Sequence, residues 1–134
     1  MSIHKDLFEL FLGSHDTLRV YDDDQLVFSS SASRLAPLVV YLGQPPIPGA
    51  NIVIMDRLVG NAAALLCIGA GCREVFSPLA SQIAVETLRA SGVKYDFTRI
   101  VPRIETPAGD ICPMEEMSIG KTPSEFWGLL KGRR

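Results

Sequence analysis

The sequence predicts an α/β protein, a three-layer α/β/α arrangement around a mixed sheet. Three observations carry that reading. The second half of the chain alternates helix-like and strand-like segments, as parallel strands joined by crossovers do. The first part holds two short alternating segments around an Asp-rich turn, the pattern of a hairpin. Between them, DRLVGNAAALLCIGAG at residues 56–71 is a run of small and apolar residues that lets a helix lie close on a sheet.

Each element has its own local reason. In KDLFELFLG (5–13), Leu7, Phe8, Leu10, Phe11 and Leu12 form a broad helical stripe, and Gly13 is a stop. TLRVYDDDQLVFSS alternates on both sides of its aspartates, and turns favour such residues. Ser33 is placed to cap a helix running to about Leu42, with Pro37 in its first turn. QPPIPGAN is a stiff loop, too short to divide domains. NIVIMD is read as extended, Val59 to Ala70 as a helix, and GAG as its end. REVFS is a short buried strand. PLASQIAVETLRASG is an amphipathic helix ended by Gly92, and VKYDFTRIVPRIE is a strand. TPAGD is a turn. ICPMEEMS and SEFWGLLKG are short helices, each with a proline at its start.

Composition narrows the function classes. At 134 residues the chain forms one domain, residues 1–134, and 47% apolar residues supply a core without disulfides or a structural metal. The 13 basic and 15 acidic residues leave a net charge of −2, which argues against a nucleic-acid surface. The basic tail LLKGRR is read as solvated. No apolar run reaches membrane-spanning length, and the first segment is too charged for a signal peptide. Three cysteines without a framework fit a reducing compartment, so a cytoplasmic protein is expected. The open edges of such a sheet invite self-association into a homo-oligomer.

Several motifs fail on spacing. GKT at 120–122 lacks the earlier glycine of a phosphate loop, because Glu115 stands there and Pro123 follows. GAG at 69–71 has Glu74 in place of the third glycine of a dinucleotide fingerprint, and it ends a helix instead of opening one. Cys67 and Cys72 have no second ligand pair and read as small buried hydrophobes. His4 and His15 read as surface residues. The aspartates 22–24 read as a turn before they read as a metal site.

The runs DRLVGNAAALL, GCREVFSPLAS, ASGVKYDF and ICPMEE together resemble a small prokaryotic family of unknown function with a cytidine-deaminase-like fold. The resemblance extends from the hairpin to about Met117. Its most specific pieces are the D-x-x-x-G-x-A-A-A helix start and the C-P-M-E segment, and the family's Lys after the glycine is Asn61 here. Zinc deaminases set a His or Cys and a nearby Glu at one helix start, and P-C-x-x-C at the next. The resemblance puts those starts at Gly60 and Pro78. The first reads GNAAA, and Leu79 and Gln82 stand where the second would hold its thiolates. It therefore implies a deaminase-like scaffold without zinc chemistry, and no metal or cofactor is expected.

Two places remain for chemistry. Helix starts expose N–H groups that attract anions, so Gly60 and Asn61, with Arg57, form a ligand-binding candidate, and Ser30 is a further phosphate contact. Asp56 either orients a ligand or serves as a cap or an ion-pair partner of Arg57 or Arg99. Cys112 precedes the proline of ICPMEE, and a thiol beside a helix's positive end suits nucleophilic chemistry, with Asp56 or Glu115 as acid–base partner. Each candidate also has a plain packing role. Three functions stay open: a metal-free binding protein for a small, nucleotide-like molecule, a metal-independent enzyme using Cys112, and an interaction subunit without an active site.

Overall fold

Eleven elements follow one another along the chain in the computed structural model: α1 (Ile3–Leu12), β1 (Leu18–Asp22), β2 (Gln25–Ser30), α2 (Ala36–Leu42), β3 (Ile52–Asp56), α3 (Asn61–Gly69), β4 (Glu74–Ser81), α4 (Gln82–Ala90), β5 (Lys94–Val101), α5 (Pro113–Ser118) and α6 (Pro123–Lys131). The structure describes residues 3–131, and the end of the basic tail, residues 132–134, lies outside them. The five strands form one sheet in the order β2-β1-β3-β4-β5. β1 runs antiparallel to both β2 and β3, while β3, β4 and β5 are mutually parallel. The expected mixed sheet is therefore present, with the hairpin at one edge and the crossover units at the other.

The hairpin turns on Asp23 and Asp24, with Asp22 paired to Gln25. Asp23 takes a left-handed conformation (φ 55°), which Asp tolerates better than most residues. The aspartates also anchor the proline-rich loop. Asp22 Oδ1 accepts from the Asn51 backbone N–H at 2.9 Å, and Asp23 Oδ1 accepts from the Asn51 side chain at 2.6 Å.

Strand alternation divides the core in two. Ile52, Ile54 and Val75 face one side with α2, α3, α4 and α6, and Leu38, Leu66, Leu88 and Phe126 are buried there. Val53, Met55 and Phe76 face the other side, against Phe8 and Phe11 of α1. The three layers are thus unequal, since among the described residues α1 alone covers the second face. Small residues at 62, 63 and 64, all buried, bring α3 close enough to be packed on every side.

Two helix starts differ from the sequence expectation. Ser33 does not cap α2, which begins at Ala36 behind Leu35 and makes no side-chain cap bond. The turn into it passes through Arg34 at φ 60°. Pro78 does not open α4 either. β4 continues its pairing with β5 through Ser81, so the helix waits until Gln82, where the Ser81 hydroxyl caps the Ala84 N–H at 3.1 Å. Ser77 bridges Pro78, donating to the Leu79 carbonyl at 2.8 Å and accepting from its N–H at 3.2 Å.

The lone helix α1 is held at its C-terminus by Arg57, just past β3. The guanidinium donates to the carbonyls of Phe11, Leu12, Ser14 and Asp16 at 2.8–3.3 Å and lies over the Phe11 ring, 4.5 Å from its centre. Two of these carbonyls, Phe11 and Leu12, belong to the last turn of α1 and two to the turn just beyond it, and a cation also suits the helix's negative pole. Replacing Arg57 by Met keeps the stem and removes the bonds. The Arg57→Met variant is expected to lose about 2–3 kcal/mol in urea unfolding, with faster amide exchange across α1 and unchanged protection in α3.

Candidate functional site

The N-terminus of α3 is the point where both candidate segments meet. Gly60 precedes the helix in an extended conformation (φ −92°, ψ −175°) and has no side chain to cap it. Glu115 of α5 supplies the cap from across the molecule. Its Oε2 accepts from the Asn61 N–H at 2.7 Å and its Oε1 from the Ala62 N–H at 2.8 Å. A carboxylate on two N–H groups at the positive end of a helix is a strong arrangement. It explains the glycine as well. A Cβ at position 60 would lie 2.4 Å from Glu115 Oε1 and 2.5 Å from its carboxyl carbon.

Asn61 extends the cluster. Its Nδ2 donates to the Ser118 hydroxyl at 2.9 Å and to the Ser118 carbonyl at 3.2 Å, and its Oδ1 accepts from the Thr87 hydroxyl of α4. Ser118 in turn donates to the Glu115 carbonyl at 2.7 Å. Asn61, Glu115 and Ser118 are all buried. Among the described residues, no buried side-chain polar atom lacks a partner. Three helices are therefore tied together by a closed polar network, and the helix end foreseen as a ligand site already holds the chain's own carboxylate.

The other sequence candidates disperse around this point. Cys112 is the residue before α5, partly exposed, and its side chain makes no cap bond. Its N–H donates to the Ile104 carbonyl at 3.1 Å. Glu115 has both oxygens engaged, so a Cys112–Glu115 acid–base pair would first have to uncap α3. Arg57 turns away to α1, as described. Ser30 ends β2, with its hydroxyl accepting from the Ala32 N–H at 3.1 Å. It pairs with Leu18, which pairs with Asp56, so it lies two strands from Asp56.

Asp56 ends β3 on the face of Ile52 and Ile54. Burial pushes its carboxyl from the ordinary 3.8 up to about 7, against the opposing pull of N–H bonds from Arg57 and Leu58. It carries no ion pair with Arg57. Among the described residues, no three His, Cys, Asp or Glu side chains gather as a metal site needs.

A concave surface that sequence reasoning missed lies at the carboxyl ends of the parallel strands. There a groove of about 410 Å³ is lined by Leu58, Leu79, Val101, Pro102, Arg103, Ile104 and Glu105. Arg103 and Glu105 pair at 2.8 Å with both side chains roughly half exposed. The segment lining it doubles back through a Glu105–Ile111 bridge into α5. Leu58 is two residues from Asp56, and Ile104 is bonded to Cys112, so both candidates border the groove through the backbone. Its only sequence signal was the apolar alternation continuing past Pro102 in VPRIE.

Over residues 9–132 the sequence matches the family model of a domain of unknown function, DUF1893. The chain belongs to the DUF1893 family. Its fold is also that of a DUF1893 family protein (TM1506) from Thermotoga maritima, known from a crystal structure. The TM-score is 0.86 at 19% identity, covering 98% of this chain and 90% of that one. No protein of curated function matches the sequence. No helix among the described residues of this DUF1893 chain is long and apolar enough to cross a membrane.

The capping cluster makes a coupled prediction. Glu115→Ala bares two N–H groups and is expected to cost about 3 kcal/mol in denaturant unfolding, and Gly60→Ala about 2 kcal/mol or more through the clash. In the Glu115→Ala background, Gly60→Ala should cost only a few tenths of a kcal/mol, because the clashing atoms are gone. Asp56 makes a second prediction, on pH. A carboxyl raised to about 7 in the fold favours the folded state fully below its ordinary value of 3.8 and progressively less as pH rises to about 7. Relative to Asp56→Asn, the wild type is expected to lose stability on the order of 4 kcal/mol between pH 4 and 7, then run parallel above. Unfolding curves at pH 4, 5.5, 7 and 8 read this directly.

Proposed function

We propose that this DUF1893 chain is a metal-free small-molecule-binding protein, on a scaffold related to the cytidine deaminases, that holds a nucleotide-like ligand in the groove at the ends of β3, β4 and β5. The observation that carries the reading is the groove itself. Open α/β sheets receive ligands outside the carboxyl ends of their strands, and about 410 Å³ falls within the range of small-molecule sites. Leu58, Leu79, Val101 and Ile104 offer an apolar wall for the flat face of a base. Arg103 offers a planar fork of donors suited to a phosphate. In the free protein that fork is held by Glu105, which a phosphate would replace. Asp56 is buried two residues before Leu58, and its raised carboxyl is the kind of perturbation that clusters at functional sites.

Isothermal titration with AMP, CMP and the corresponding nucleosides tests the reading. Binding of the monophosphates is expected, weakened at least about tenfold by Arg103→Glu, while nucleoside binding changes little. Leu79→Lys should abolish both. Absence of binding by all four ligands at millimolar concentration, in folded wild-type protein, overturns the proposal.

A further inference from the structure

Helix α3 ends in a particular way. Gly71 takes a left-handed conformation (φ 70°). Its N–H donates to the Ile68 carbonyl at 2.9 Å, and the N–H of Cys72 reaches back to the Cys67 carbonyl at 3.3 Å. These two bonds make a Schellman motif, which turns a side chain in the last helical turn toward the one just beyond the cap. That contact is ordinarily between two hydrophobic side chains. Here the two residues are Cys67 and Cys72, which the cap sets side by side. Both are free. Cys67 is fully buried and Cys72 keeps 7% of its surface exposed. Neither residue belongs to the groove or to the Glu115 cluster, so the pair stands independently of the proposed ligand site.

We infer that Cys67 and Cys72 form a dithiol oxidation site, which a small peroxide converts to an intramolecular disulfide inside the cap of α3. Access assigns the roles. Cys72, the one with exposed surface, attacks as thiolate: an S–O bond forms, the peroxide O–O bond breaks, and hydroxide leaves to take up the thiol's proton as water. Cys67 then attacks the Cys72 sulfenic sulfur. The S–S bond forms, the S–O bond breaks, and the leaving hydroxide takes the Cys67 proton as a second water. Two thiols and one peroxide thus give one disulfide and two waters, with two electrons passing from the sulfurs to the peroxide oxygens. The neighbouring Cys72 side chain and burial push the Cys67 thiol well up, which disfavours Cys67 as the first attacking thiolate. The buried position also admits a small oxidant and excludes a bulky disulfide such as oxidised glutathione.

Both cysteines fall in one tryptic peptide, between Arg57 and Arg73, which makes the test simple. The folded full chain is treated with a small excess of hydrogen peroxide, unfolded in N-ethylmaleimide and digested. The expected peptide is two hydrogens lighter than the dithiol and carries no maleimide, and dithiothreitol before alkylation restores two maleimides. In Cys67→Ser the Cys72 sulfenic acid should persist and be trapped by dimedone, while in Cys72→Ser the oxidation of Cys67 should slow at least about tenfold. The inference is overturned if the wild-type peptide still carries two maleimides once Cys112 is oxidised. It is equally overturned if the peptide gains oxygen without losing two hydrogens, or if Cys72→Ser oxidises at Cys67 as fast as the wild type. The wild-type peptide masses decide the matter even where a variant fails to fold.

Discussion

One carboxylate organises this molecule. Glu115 on the first two N–H groups of α3 converts a bare helix end, otherwise an open anion site, into a filled internal joint. The helix it caps is buried along most of its length, so its N–H groups have no water to fall back on. Without that carboxylate α3 would end in unsatisfied donors under the sheet. With it, the segment after β5 must fold back far enough to bring α5 over Gly60. The route of the chain through Glu105, Ile111 and Cys112 follows from that demand.

The same joint redistributes the chemistry. In a fold of this kind the end of α3 is where an outside ligand would meet backbone donors. This chain spends those donors on itself. The free concave surface lies instead beside it, at the ends of β3, β4 and β5, where the returning segment makes one wall. On the opposite face, α1 covers the sheet alone and depends on Arg57 for its seat. A residue next to the buried Asp56 thus serves the far layer of the protein and not the site.

Much of the architecture was legible because it is local. The aspartates of the hairpin, the small residues of α3, the glycine that ends it and the proline that opens α5 each act within a few residues. What was hidden acts at a distance. Nothing in ICPMEE says that Glu115 turns inward while Glu116 stays exposed. Only the packed structure shows that Gly60, Asn61 and Glu115 answer one another. The start of α4 was missed because a proline and a serine competed for it, and continued pairing with β5 favoured the serine. The groove was missed because its walls come from three separate segments. Cys67 and Cys72 read as small hydrophobes, which is what the cap motif asks of them, and their contact became visible only with the turn between them.

The missing side chain at Gly60 has an evolutionary reading. Positions 60 and 115 sit 55 residues apart in the sequence, yet a side chain at one excludes the carboxylate at the other. A change at 60 made first drives a Cβ into the carboxyl group, while a change at 115 made first strips the helix of its cap. Either order passes through a weakened intermediate, so the two positions are bound to a shared history, and drift at one is permitted only after the other has already given way.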